Sequence, residues 1–309
     1  MSRVKVTVPA KINLHLQVLG PREDGFHDIW TLYQSVDLAD EISVEDRPPG
    51  AMALVVEPAG SAPEGCDNLV LKAASALRDR TGVQRGAKIR LRKRIPAGAG
   101  LGGGSADAAA ALVALDRLWE TGLTIRDLEV LAAKIGSDVT FFLHGGLAVG
   151  RGRGNTVERL PDLPSLAVCI VVPDLEVSTA WAFAEMAFRL TSRRPDATVE
   201  AFAAGRGNGV MSDPPWRSLF NDFEEVVTGR WPEIGRIVRT VQGTGPLTTA
   251  MAGTGAAVFG IYAVTAAARR AAGKIGNEWQ MHVGSTLGRH DSGLLECRAW
   301  DREEERPWK

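Results

Sequence analysis

The chain has little with which to cross-link itself or hold a metal. Three cysteines in 309 residues are an odd count, and the spacings of Cys66, Cys169 and Cys297 fit no zinc pattern. Neither a disulfide framework nor a cysteine-built metal centre is expected. No segment reaches the ~18 apolar residues of a membrane span, and the opening MSRVKVTVPA lacks the apolar stretch of a signal peptide. Charge is almost balanced, with 36 basic and 37 acidic residues. No excess of one sign is left to attract nucleic acid or an anionic membrane. A cytoplasmic enzyme without nucleic-acid or membrane partners is expected, and monomer and homodimer stay open. There is no internal repeat, and the length favours two domains.

The distinctive stretch is Ile95–Ala111, IPAGAGLGGGSADAAAA, where five glycines between Gly98 and Gly104 give way to an alanine-rich run. Before it, Ala87–Arg94 (AKIRLRKR) alternates apolar and charged residues, as a half-buried strand does. After it, ADAAAALVALDRLW consists largely of strong helix formers. Strand, glycine loop and helix start in that order make an anion site. Glycines admit close backbone approach, and the first helical turn offers unpaired N–H groups at the positive end of a dipole. Gly98, Gly100 and Gly103 fit G-x-G-x-x-G, yet the preceding strand is charged. The stretch about 20 residues on, TGLTIRDLEVLAAKIG, reads as a helix, where a dinucleotide fold wants a strand ending in an acid. Gly104 leads to Ser105 without the lysine of a Walker A loop, and neither H-R-D nor D-F-G occurs. What remains is a loop that holds phosphates with backbone alone.

Further strands are expected at about 3–8, 11–19, 28–36 and 40–46, and again at 146–149 before a glycine–arginine turn over 150–154. Helices are expected near 67–81, 104–120 and 125–136. LPDLPS (Leu160–Ser165) reads as a linker, LAVCIVVP as a buried strand and VSTAWAFAEMAF as a helix. Ala203–Trp216 reads as a loop, MAGTGAAVFGIYAV as a turn plus strand and TAAARRAAGKIG as a helix, while the terminal DREEERPWK reads as solvated.

Three short motifs carry candidate chemistry. In KINLHLQV a strand puts Lys11, Asn13, His15 and Gln17 on one polar face, which taken alone is equally a solvated sheet face. Asp138 in KIGSDVTFF stands where a helix N-cap would also put an acid. Asp24-Gly25 is a tight-turn signal that delivers Phe26 and His27 to the start of a strand. There they suit a nucleobase, or equally a core ring and an incidental turn histidine.

The loop Pro96–Ala106 resembles the signature of the GHMP superfamily of small-molecule kinases. PAKINLHLQVLGPREDGFH (Pro9–His27), DNLV (Asp67–Val70), IGSDVTFFLHGG (Ile135–Gly146), NDFE (Asn221–Glu224) and MAGTGAAVF (Met251–Phe259) are similar to one family within it. That family is the 4-diphosphocytidyl-2-C-methyl-D-erythritol kinases of the non-mevalonate isoprenoid pathway, and the resemblance spans about residues 4–287.

The resemblance implies an α+β, two-domain fold. A ribosomal protein S5 domain 2-like N-terminal domain (1–163) would carry the ATP phosphate loop. An α/β-sandwich C-terminal domain (164–287) and a charged tail (288–309) would follow. It implies ATP as co-substrate with Mg2+, whose ligands the sequence does not single out beyond Ser105 as a contact. ATP would lie against Pro96, Ala97, Gly98, Ala99, Gly100, Leu101, Gly102, Gly103, Gly104, Ser105 and Ala106, with Asn68 beside the adenine. Lys11 and Asp138 would be catalytic, Lys11 at the acceptor hydroxyl and Asp138 accepting its proton. Asn13 would orient a cytidyl-activated polyol, Phe26 stack on the cytosine, His27 read its edge and Phe183 cover the opposite ring face. Gly253, Thr254 and Gly255 would close the cleft. Departures from the family pattern are Phe26 for a frequent Tyr, Thr140 for a usual Pro, and Ala252 where a polar residue is common. A kinase of another small alcohol, of homoserine or mevalonate type, and a non-catalytic nucleotide-binding paralogue are the alternatives.

Overall fold

A computed structural model describes residues 3–187, 195–197, 200, 203 and 216–294. Two long strands organise the first half. β1 (Arg3–Pro21) and β2 (His27–Arg47) pair antiparallel through the Asp24-Gly25 turn. The expected breaks near Pro9 and Asp37 are absent; register shifts between Pro9 and Ala10 and between Asn13 and His15 bend the pair instead. Pro9 is tolerated because β1 pairs with β2 alone, so its missing N–H falls on an edge or at the irregularity. Twenty-one residues of β2 are long enough to take different neighbours along the opposite edge. β3 (Met52–Glu57) pairs parallel to β4 (Gly86–Arg92), β4 pairs with Glu41–Arg47, and β5 (Leu147–Arg151) pairs with Thr31–Gln34. β6 (Thr156–Arg159) closes a hairpin on β5.

The helices arrive close to the expected bounds. α1 (Leu69–Thr81) is N-capped by Asn68, and α3 (Ile125–Ile135) by a Thr124/Asp127 capping box. Between them α2 (Gly103–Trp119) is buried from Ala106 to Leu115, where its alanines let α1 and the sheet approach closely. α4 (Val139–His144) begins where Asp138 stood as a candidate N-cap: six residues form one turn and a half, buried throughout.

The second half is a four-stranded antiparallel sheet in the order β10 (Gln280–Ser285), β7 (Ala167–Val172), β9 (Val258–Tyr262), β8 (Thr248–Met251). The helices of this half are α5 (Thr179–Ala187), α6 (Phe223–Arg230), α7 (Pro232–Gln242) and α8 (Thr265–Ile275). The uninterrupted apolar run AVCIVV now has its reason. Ala167, Cys169 and Val171 enter the core shared with the helices, while Val168 and Ile170 enter the core of the first sheet. A strand buried on both faces needs no alternation. Along β1 the allegiance also changes, since Ile12 and Leu14 belong to the first core and Leu16 and Val18 to the second.

After β10 the chain returns to the first sheet, where Leu287 N–H donates to the Ser35 carbonyl. α9 (Arg289–Ser292) follows, Ser292 Oγ accepts from Gly146 N–H at 2.7 Å, and Leu294 is buried in the first core. The charged DREEERPWK lies outside the described residues, as do Phe188 of the expected helix and 204–215 of the expected loop.

A chain ending after Leu294 should therefore be more stable than one ending after Leu287 by about 2–3 kcal/mol, the worth of one fully buried leucine. Urea midpoints of the two truncations measure this, and coincident curves would show that the returning segment contributes nothing.

Candidate active site

Lys11, halfway along β1, is the centre of the arrangement. Its backbone N–H donates to the Leu101 carbonyl, which ties the strand to the glycine loop. Its side chain is buried, and Nζ donates to Asn13 Oδ1 at 2.7 Å and to the Gly100 carbonyl at 2.8 Å. Asp138 Oδ2 stands 3.6 Å from Nζ. Burial pushes the Lys11 ammonium below its ordinary pKa, and the Asp138 carboxylate works against that shift. Asn13 is oriented in turn, its Nδ2 donating to Thr31 Oγ1 and that hydroxyl to the His15 carbonyl. The polar face of β1 is thus not solvated, since Lys11, Asn13, His15 and Gln17 are all buried.

Asp138 precedes α4 yet makes no side-chain cap. Its Oδ1 accepts from the Tyr33 hydroxyl at 2.8 Å, leaving Oδ2 toward Lys11. Burial, reinforced by Asp138, holds the Tyr33 phenol well above its ordinary pKa, so it stays a donor. Thr140 does not disturb this geometry: it is the second residue of α4, its Oγ1 buried without a hydrogen bond among the described residues.

The two glycine loops meet at Lys11. A Cβ at Gly100, where φ is +76°, would overlap the Ala252 carbonyl oxygen, and Ala257 N–H donates to the Ala99 carbonyl. A Cβ at Gly253 would lie 3.2 Å from Lys11 Nζ. The start of α2 has no side-chain cap, so its first N–H groups are open to an anion. In that turn a Cβ at Gly103 would press on Ile95 and Lys93, whereas one at Gly104 would meet only Leu69 at 3.7 Å. Gly103 is a packing constraint and Gly104 lies on the open side. Thr254 Oγ1 pairs with Thr179 Oγ1 at 3.0 Å, and Gly255 N–H donates to the Ala252 carbonyl.

The aromatic candidates divide. His27 and Phe183 stack at 5.3 Å, with Phe223 edge-on to Phe183. Phe26 is 49% exposed and its ring lies under the Arg153 guanidinium at 4.3 Å. Phe183 stacks on His27, and Phe26 carries Arg153. Asn68 is occupied structurally, with Oδ1 accepting from Val70 N–H and Nδ2 donating to the Pro63 carbonyl.

A family model described as the GHMP kinases N terminal domain matches residues 68–146, which include the glycine loop and Asp138. The 4-diphosphocytidyl-2-C-methyl-D-erythritol kinase of Pelotomaculum thermopropionicum is 43% identical over 265 residues, covering 86% of this chain and 91% of that one. The chain belongs to the 4-diphosphocytidyl-2-C-methyl-D-erythritol kinases. The enzyme of that name from Paraburkholderia phytofirmans is 36% identical over 284 residues, 91% of this chain and 93% of its own. A crystal structure of 4-(cytidine 5'-diphospho)-2C-methyl-D-erythritol kinase superposes with a TM-score of 0.75 at 34% identity, covering 92% and 99% of the two chains. Mevalonate kinase from L. major, with a TM-score of 0.67, 17% identity and 92% and 96% coverage, shares the fold.

Within this kinase, three features escaped sequence reading. Tyr33 is one, an ordinary aromatic on an alternating strand. Asn221 of NDFE is another: its Nδ2 donates to the carbonyls of Met251 and Gly253, both at 2.7 Å, and Oδ1 accepts from Phe223 N–H. It pins the second glycine loop beside β1, where Leu16 N–H donates to the Phe220 carbonyl and the Leu16 carbonyl accepts from Asp222 N–H. The third is a buried ion group beneath the phosphate loop. Lys93 Nζ donates to Asp107 Oδ2 at 2.7 Å and to Asp40, whose Oδ1 accepts from Ile95 N–H at 2.9 Å. Its signal was faint, a lysine in a charged strand and an acid among alanines.

Burial pushes the Asp107 carboxyl up to about 8, with Asp40 adding to the shift and Lys93 opposing it. The native state then holds a proton that the unfolded chain releases above its ordinary value of 3.8. Stability falls as pH rises from about 4 to about 8 and is level beyond. Asp107→Asn, which keeps an acceptor for Lys93, should gain on the native sequence across that window in thermal melts. A stability difference constant from pH 5 to pH 8 would contradict a raised Asp107.

Proposed function

We propose that this kinase transfers the γ-phosphoryl group of ATP to the 2-hydroxyl of 4-diphosphocytidyl-2-C-methyl-D-erythritol, in the cleft where the two glycine loops meet. The observation that carries the mechanism is the Lys11–Asp138 pair, set 3.6 Å apart beside both loops. ATP phosphates lie against the backbone of Pro96–Ala106 and the open first turn of α2, with adenine toward the Asn68 segment. The acceptor oxygen attacks the γ-phosphorus, the bond to the β,γ-bridging oxygen breaks, and ADP leaves. The hydroxyl proton passes to Asp138, whose other oxygen is steadied by Tyr33. Lys11 neutralises charge on the moving phosphoryl group, held by Asn13 and the Gly100 carbonyl, which is the positioning and electrostatic work phosphoryl transfer requires.

Phe26, His27 and Phe183 take the cytosine, and Asn13 with Gly253, Thr254 and Gly255 the polyol. Among the described residues no three His, Cys, Asp or Glu groups gather to hold a metal. Mg2+ entering with ATP would be held mainly by the nucleotide phosphates, with Ser105 Oγ as a candidate protein contact. Bound there, the ion would offset phosphate charge. No helix among the described residues is long and apolar enough to cross a membrane; a cytoplasmic location is part of the proposal.

ADP release measured with the cytidyl-activated substrate, homoserine and mevalonate as acceptors tests the assignment. Turnover with the cytidyl substrate alone supports it, and turnover with either of the others in its place overturns it. Asp138→Asn should lower kcat by roughly 10²–10⁴, the usual worth of a general acid–base group, with ATP affinity nearly unchanged. Turnover within about threefold of the native enzyme would remove Asp138 from the proton path.

A further inference from the structure

The arginine at the tip of the β5–β6 hairpin has a place between two ends of the cleft. Gly152 and Gly154, both at positive φ, shape the turn that carries it. The Gly152 carbonyl accepts from Ile29 N–H at 2.7 Å, which ties the turn to β2 just beyond the Phe26–His27 segment. A Cβ on Gly154 would lie 2.6 Å from the Tyr33 hydroxyl and 3.8 Å from Asp138 Oδ1. Arg153 thus links, through adjacent residues, the aromatic Phe26 at one end with the proton acceptor at the other.

Its guanidinium is 4.3 Å from the centre of the Phe26 ring, and it makes no ion pair or hydrogen bond among the described residues. Asp24, whose carboxylate Arg153 reaches through its charge alone, is hydrogen-bonded by the Arg22 side chain and by Phe26 N–H. Neighbouring Arg151, by contrast, stands near Glu158 and Glu200 and lies over Trp30. An arginine stacked on a ring is held in orientation while its N–H edges remain free, and those edges match phosphate oxygens in pairs.

We propose that Arg153 binds the diphosphate of a pyrimidine nucleoside diphosphate group whose base lies at Phe26 and His27. The proposal rests on the cytidyl substrate assigned above. It follows the order of that molecule along the cleft: base at Phe26, diphosphate at Arg153, polyol hydroxyl at Asp138. A side chain in this position discriminates a diphosphate-linked acceptor from a bare nucleoside, and its contribution is charge-dependent and weakened by salt.

The test is calorimetric binding of cytidine and of CDP to the full chain, with the ATP site filled by a non-hydrolysable ATP analogue, for the native protein, Arg153→Gln and Arg153→Lys. Arg153→Gln should lose about tenfold or more in CDP affinity, the worth of a charge-assisted hydrogen bond, while cytidine affinity changes little. Arg153→Lys should recover part of the loss, and added salt should narrow the gap between native and Gln proteins. Equal losses for cytidine and CDP would show that Arg153 only packs against Phe26, and unchanged CDP affinity would remove it from the site. Either result overturns the proposal while leaving the cytidine assignment standing. Failure of the native protein to bind either ligand would instead overturn the assignment on which it rests.

Discussion

Burying the Lys11 ammonium is the constraint around which the rest is arranged. A charged group out of water is costly unless it is paired and hydrogen-bonded, and here each compensating group comes from a different part of the chain. Asn13 is its neighbour on β1, Gly100 belongs to the phosphate loop, and Asp138 stands at the start of α4. Satisfying one ammonium therefore fixes both the glycine loop proposed to receive phosphate and the carboxylate proposed to receive a proton. Its lowered pKa records the desolvation, and the 3.6 Å approach of Asp138 limits it.

The two halves share an apolar core across their boundary. Val168, Ile170, Phe259 and Ile261 of the second sheet belong to the same apolar cluster as Ile12, Leu14 and the alanines of α2. This shared core brings the loop Met251–Gly255 against Gly100, and Asn221 holds it there by satisfying two carbonyls with one amide. The cleft is consequently walled by backbone from both halves, which suits phosphates that need N–H groups and little side-chain bulk. Beneath it, Asp40, Lys93 and Asp107 anchor the strand end that leads into the loop, through the Asp40 contact to Ile95 N–H.

The sequence made legible what depends on local pattern. The glycine loop with its alanine helix, the helices of the first half and the apolar β7 all lie where periodicity and composition put them. Long-range consequences were hidden. Nothing in KINLHLQV says that its polar face is covered by a second sheet, and Pro9 looked like a break because the register irregularity beside it is a property of pairing. The short strands β3, β6 and β10 are too brief to carry a period. At the site, Lys11 and Asp138 were named, and expected to face each other, through resemblance; the structure adds their 3.6 Å separation. Tyr33, Asn221 and Lys93 escaped because each acts on a partner far along the chain. Phe183, expected to cover the second face of the cytosine, stacks on His27 and packs against Phe223 from α5.

The claim that Lys11 supplies charge to the transferring phosphoryl group is tested most directly by Lys11→Met, which keeps the length of the buried stem and removes the ammonium. Single-turnover transfer from ATP to the cytidyl-activated acceptor should fall by about 10²–10³, the range for loss of one electrostatic group at a transition state, while calorimetry finds ATP bound with nearly native affinity. Transfer at the native rate would contradict the account.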